Sequence, residues 1–213
     1  MNISLNTITQ SLAKTRIMPL LTLKDSSIAP DIAKSLIEGG IKVVEVTFRT
    51  EAGAQAIEKI KNSKLPILVG AGTVRTFEQA QKAVDCGADF LVTPGFNPLM
   101  IKWAQDHQIA IFPGVDSTIA IEQAINANLN FLKFFPAEIG GIKWLKAIYG
   151  PYPEISFICT GGISLANLKE YLTQPNVLGI AGSFLCPSDA IARKDFPQIT
   201  EICKDAKKIV ESI

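Results

Sequence analysis

The sequence predicts an α/β chain closed into a (β/α)8 TIM barrel, with a short extra helix at its N-terminus. Three observations carry this expectation. Eight short apolar, β-branched runs recur along the chain, stretches with helical spacing separate them, and residues able to do chemistry gather where the runs end. Continuous apolar strands separated by helices form parallel sheets covered on both faces, because parallel neighbours need a crossover connection. Eight such units favour closure into a barrel, and an open doubly wound sheet is the alternative. The 213 residues fit one domain spanning 1–213.

Ile8, Leu12 and Ala13 predict the extra helix, lying across one end of the barrel. The strand runs follow at 17–22, 41–47, 66–70, 89–93, 109–112, 130–134, 155–159 and 178–182. Helix starts fall at Asp31 after Pro30, at Thr76 before Phe77, and at Ser164 ahead of a stretch ending at Leu172. Gly39-Gly40 closes the first long helix of the barrel. Phe77, Ala80 and Val84 mark one apolar helix face, and Ile199, Ile202, Ala206 and Ile209 mark that of the last helix. Trp144, among Ile142, Leu145 and Ile148, covers either the barrel or a neighbouring subunit.

Composition narrows the function. Twenty-one basic and twenty acidic side chains leave a net charge of +1, which points to no nucleic-acid or membrane-surface partner. No apolar run approaches the ~18 residues of a membrane span, and the first twenty residues lack a secretory h-region. The four cysteines are far apart without a C-x-x-C pair, as in reduced proteins of the cytoplasm. The expectation is a soluble cytoplasmic protein without a metal, since a divalent ion would want several His or carboxylate ligands.

In a parallel barrel the active site is built at the C-terminal strand ends. Lys133 lies there, inside the apolar run Phe131-Leu132-Lys133-Phe134-Phe135-Pro136. A buried ammonium must find a partner, reach water or shed its proton. The neutral amine is the nucleophile that forms Schiff bases with carbonyl substrates. Period-two alternation puts Val43, Glu45 and Thr47 on one face of the second strand and Val44 with Val46 on the other. Glu45 then forms a buried ion pair or, facing an inward lysine, serves as general acid and base. Arg49, just beyond that strand, is either a surface arginine or a bidentate grip for a substrate carboxylate. The hydroxyl of Thr73 can meet the same carboxylate.

Two glycine-rich turns, Thr160-Gly161-Gly162-Ile163 and Ala181-Gly182-Ser183, end the last two strands. Turns without side chains let backbone N–H groups approach a phosphate, and a following helix N-terminus adds a favourable dipole. Gly70, Gly72, Gly95 and Gly114 are expected to be plain strand-exit turns. His107, the only histidine, falls near a helix end beside Asp106 and is expected to be a solvated surface residue. Proton transfer then falls to a carboxylate.

Together these motifs resemble those of the bacterial 2-keto-3-deoxy-6-phosphogluconate aldolases, which are also 4-hydroxy-2-oxoglutarate aldolases. The carriers are Glu45-Val-Thr-Phe-Arg-Thr50, Val69-Gly-Ala-Gly-Thr-Val74, Thr93-Pro-Gly95, Pro113-Gly-Val115, Lys133-Phe-Phe-Pro-Ala-Glu138, Thr160-Gly-Gly-Ile-Ser164 and Gly182-Ser183. The resemblance implies a homotrimeric class I aldolase without a cofactor, acting on a phosphorylated keto acid. It implies that Lys133 forms the imine and that Glu45 moves protons through a bound water. Arg49, Thr73 and Pro94 would hold the pyruvate portion and Phe135 would wall the site. Thr160, Gly161, Gly162, Gly182 and Ser183 would line the remainder, with the glycines and Ser183 receiving the phosphate. An aldolase for the galactonate epimer and a non-catalytic phosphosugar-binding barrel are the alternatives. The chain departs from the family pattern at Ala120, where a capping Glu is common, at Cys159, where proline is frequent, and at Ala181, in place of the first glycine of a Gly-Gly-Ser turn.

Overall fold

A computed structural model describes residues 4–213. Its strands are β1 (Ile17–Leu21), β2 (Val43–Thr47), β3 (Leu68–Gly72), β4 (Phe90–Val92), β5 (Ala110–Phe112), β6 (Gly114–Val115), β7 (Phe131–Phe134), β8 (Ser156–Thr160) and β9 (Val177–Gly182). All ladders are parallel, in the order β5-β4-β3-β2-β1-β9-β8-β7-β6. β5 and β6 are two halves of one strand interrupted at Pro113, which lacks the N–H a ladder needs. The Pro113 carbonyl still accepts from Lys133 N at 2.9 Å. Its first half pairs with β4 and its second with β7, so the fifth barrel strand joins both ends of the sheet and the ring closes.

The helices are α1 (Leu5–Thr15), α2 (Ala29–Glu38), α3 (Ala52–Asn62), α4 (Phe77–Asp85), α5 (Pro98–Asp106), α6 (Thr118–Asn126), α7 (Ala137–Tyr149), α8 (Leu168–Leu172), α9 (Ser188–Arg193) and α10 (Phe196–Glu211). Alternation along the strands sorts their side chains into two cores. Val44, Val46, Leu132, Phe134 and Cys159 face outward into the layer between sheet and helices. Met18, Leu20, Val43, Phe90, Val92, Phe112, Ile158 and Ala181 fill the barrel interior, where Phe90 and Phe112 meet edge to face at 5.6 Å. Ile8 and Leu12 of α1 join that interior cluster, with Leu68, Ala110 and Phe131, which open their strands, and Leu178, second in β9, packed against it. α1 therefore plugs the N-terminal end, leaving the C-terminal end for chemistry. No helix among the described residues is long and apolar enough to cross a membrane.

Several local expectations are corrected. Ala13 is exposed; α1 buries Ile8, Thr9, Leu12 and Thr15 instead. Phe77 is 40% exposed, and α4 turns Ala80 and Ala83 inward. α2 begins at Ala29, two residues before Asp31, because a 3-10 turn capped by Asp25 leads into it. Ser164 caps nothing. Asn167 instead folds back to accept from Ser164 N, which delays α8 to Leu168. Thr76 does cap α4, and Ser117 caps α6 without help from Ala120. Trp144 covers the barrel, stacked on Phe134 at 4.2 Å and 9°.

The strand-exit reading fails for three of four glycines. Gly70 and Gly72 lie within β3 and Gly114 within β6. Each is required for space: a β-carbon would overlap the Phe90 ring at 70, the Glu45 carboxylate at 72 and the Pro94 carbonyl at 114. Only Gly95 lies in a loop with open space around it. Ala181 is also inside its strand, paired with Met18 and Thr160, so its methyl group occupies the barrel interior rather than a turn.

Candidate active site

Lys133 and Glu45 meet inside the barrel. Lys133 is 3% and Glu45 0% exposed, and Nζ stands 3.4 Å from Oε1. β7 places Leu132 and Phe134 in the outer layer, so the intervening lysine can only point inward. β2 does the same for Glu45, and Gly72 on β3 supplies the room for its carboxylate. Glu45 Oε2 has no hydrogen-bond partner among the described residues. A buried oxygen so placed is costly unless it serves a ligand or a proton. The Phe135 ring lies 5.5 Å from the lysine nitrogen, on the apolar side of the site.

Thr160 projects from the end of β8, two residues beyond the interior Ile158, buried and with Oγ1 unpartnered among the described residues. Its strand lies beside that of Lys133, which pairs with Ile158. Two orphaned polar atoms thus lie in the upper barrel with an amine, a constellation suited to a small polar substrate held at its carbonyl. Thr47, which the sequence places on the face of Glu45 without a role, is fully buried and shares a 2.9 Å hydrogen bond with Thr22. An alternating strand signals its direction, but only the fold brings Thr22 to it.

The predicted carboxylate-binding residues lie on the rim. Arg49 is exposed in the loop after β2, lining a hollow with Phe48, Glu51, Glu78 and Lys82. Thr73 follows β3 in the left-handed region, with φ 57°. Pro94 follows β4 and, with Phe96, Gly114 and Phe135, lines a cavity of about 280 Å³.

The two glycine-rich turns expected to receive a phosphate differ in kind. Gly161 and Gly162 have φ of 107° and 66°, so the first turn requires glycine for its backbone. Gly182 is extended, at φ −154°, and ends β9; it is small because a β-carbon would overlap the Phe184 ring. The helix dipole expected behind these turns is weak. α8 has only five residues and starts six positions after Gly162, while Ser183 opens a 3-10 turn. His107 is exposed at the end of α5, stacked on Trp103 at 4.2 Å. All four cysteines are free. Burial raises the thiols of Cys159, Cys186 and Cys203, leaving them protonated and unreactive at neutral pH.

Fold and site together define a parallel α/β barrel with a buried lysine and a buried glutamate paired in its interior. Comparison with known proteins agrees. A family model described as "Aldolase: KDPG and KHG aldolase" matches residues 8–202. A 2-dehydro-3-deoxy-phosphogluconate aldolase of Treponema pallidum is 43% identical over 96% of this chain and 98% of its own. A KHG/KDPG aldolase of Escherichia coli is 38% identical over 89% and 90%. The solved structure of a KDPG aldolase from Legionella pneumophila, with pyruvate captured at low pH as a covalent carbinolamine intermediate, superposes with a TM-score of 0.90. It is 37% identical and covers 93% of this chain and 97% of its own. The chain belongs to the KDPG and KHG aldolase family.

Proposed function

We propose that this chain is a class I aldolase. It cleaves 2-keto-3-deoxy-6-phosphogluconate to pyruvate and glyceraldehyde 3-phosphate, and 4-hydroxy-2-oxoglutarate to pyruvate and glyoxylate. The single observation that carries the reading is the Lys133 amine facing the Glu45 carboxylate at 3.4 Å within an apolar barrel. The named relatives and the pyruvate adduct in the Legionella enzyme support the substrate assignment.

The chemistry follows from those two groups. The neutral amine of Lys133 adds to the C2 ketone, and loss of water gives a protonated imine. Glu45 removes the C4 hydroxyl proton, and the C3–C4 electron pair flows into the iminium. The aldehyde leaves, and an enamine remains instead of an unstabilised carbanion. Return of a proton to C3 and addition of water release pyruvate and restore the amine. No further electron sink is needed, so the reaction as proposed uses no cofactor and no metal. Arg49, Thr73, Pro94 and Thr160 hold the pyruvate end, Arg49 by swinging inward from the rim. Phe135 shields the imine, and Gly161, Gly162, Gly182 and Ser183 receive the distal group. The barrel works as one domain, assembles as a homotrimer and operates in the cytoplasm.

Trapping tests the reading directly. Borohydride added with pyruvate should leave a three-carbon adduct that peptide mass mapping places on Lys133. An adduct elsewhere, or none, sinks the proposal. Lys133→Met should abolish pyruvate release from both substrates. Its fold must be checked separately, because the change strands a buried carboxylate at a cost of about 3–5 kcal/mol.

A further inference from the structure

Glu138 sits five residues beyond Lys133, in the first turn of α7, where a carboxylate is favoured by the helix dipole. That turn lies directly against the glycine loop after β8. A β-carbon on Gly161 would come within 3.3 Å of Ala137 N, and one on Gly162 would overlap both Cβ and Oε2 of Glu138. The carboxylate therefore occupies the space where a Gly162 side chain would begin, beside the residue assigned to the distal phosphate. It makes no hydrogen bond or ion pair with any described residue. A negative charge without a partner among the described residues stands where a second negative charge is expected to arrive.

We infer that Glu138 is a specificity-determining residue that narrows the advantage of a phosphorylated substrate over the same keto acid ending in a free hydroxyl. The inference rests on the aldolase reading above. A phosphate monoester brings about −1.5 to −2 charges at neutral pH. Like charges at ~4 Å repel enough to cost about fivefold in binding even at the dielectric of water, and more in a partly shielded site. A terminal hydroxyl instead donates a hydrogen bond to the carboxylate. Glu138 thus penalises one tail and accommodates the other, while the pyruvate end is untouched.

The test is a ratio. kcat/KM for pyruvate release is measured for 2-keto-3-deoxy-6-phosphogluconate and for its unphosphorylated counterpart, with the parent enzyme, Glu138→Gln and Glu138→Asp. The phosphorylated-to-unphosphorylated ratio should rise about five- to tenfold in Glu138→Gln. It should stay closer to the parent value in Glu138→Asp, which keeps the charge. Borohydride trapping of pyruvate should be equal in all three. A ratio unchanged or lowered in Glu138→Gln overturns the inference and leaves the aldolase reading standing. Failure of the parent enzyme to release pyruvate from either substrate overturns the aldolase reading itself.

Discussion

A methyl group on Gly72 would collide with the Glu45 carboxylate, so Gly72→Ala measures how far that acid can move before chemistry suffers. The added carbon would overlap Cγ as well as the carboxylate of the fully buried Glu45, so the whole side chain must shift and its 3.4 Å approach to Lys133 is lost. Misplacement on the order of 1 Å costs about 100-fold. Pyruvate release should fall by about that factor, and overpacking at this buried site should also cost about 1–3 kcal/mol of stability. Gly95→Ala, with nothing within 4 Å, should stay within about twofold. Lys133 and Glu45 are legible in the sequence because strand alternation fixes a side chain's direction once the strand is placed. The purpose of Gly72 is not, because it depends on register: Thr47 opposes Gly72 across β2 and β3, and sequence carries no register. The buried thiols give a second test. Burial pushes Cys203 up to about 12 and holds Cys159 and Cys186 well above the ordinary thiol range. The unfolded chain releases these protons from about pH 8.5, so the folded state binds more protons above that point. Stability is then full below about pH 8.5 and declines as pH rises toward about 12. Urea midpoints at pH 7.5 and 10 should show the decline, and Cys203→Ala should reduce its slope.

At the scale of elements, strands are more legible than helices. A strand here is a short apolar run, and each predicted run overlaps an observed strand; the chief surprise is the break at Pro113, where the carbonyl stays in the ladder although the N–H is missing. Helix starts depend on side chains that compete for the same backbone donors, which is why Asn167 displaces Ser164 as the organiser before α8. α1 shows what a helix face can and cannot reveal. Ile8 and Leu12 are legible because four residues make about one turn, whereas Ala13 is small enough to sit on either side. Since Leu12 is fully buried among interior residues, Leu12→Ala should cost about 2–5 kcal/mol in chemical denaturation, while Ala13→Ser should be nearly silent. α7 offers a sharper contrast. Gly141 interrupts it at φ 61° and ψ −165°, and no atom lies within 4 Å of where a β-carbon would stand. Gly141→Ala therefore meets no clash, yet demands a conformation that only glycine adopts readily, at a cost of about 1–3 kcal/mol. A neutral result by urea titration would mean that the kink relaxes.

At the scale of the whole molecule, the barrel is predictable because unit count and alternation are properties of the chain itself. Surface partnership is not, because periodicity cannot distinguish an apolar residue facing the core from one facing another subunit. Phe77 illustrates the point: it belongs to the apolar stripe of α4, yet it is exposed. Leu99, Ile119 and Ile139 are 69%, 71% and 81% exposed, and with Phe77 they occupy the first turns of α4, α5, α6 and α7. Each of those helices follows a strand, so all four residues ring the catalytic end on consecutive units. The proposed chemistry gives none of them a role, although Ile119 also lines the cavity beside Pro94 and Phe135, and apolar side chains repeated along one rim are what an association surface requires. A threefold assembly would set one arc of this rim against a different patch on the next copy, in a heterologous contact that closes after three. For the homotrimer proposed above, light scattering should give the mass of three 23.0 kDa chains. Leu99→Asp combined with Ile119→Asp should yield smaller species that keep the parent circular dichroism spectrum. A trimer that survives both charges would move the interface to another face, whereas loss of the spectrum would mean that these side chains support the fold rather than the assembly.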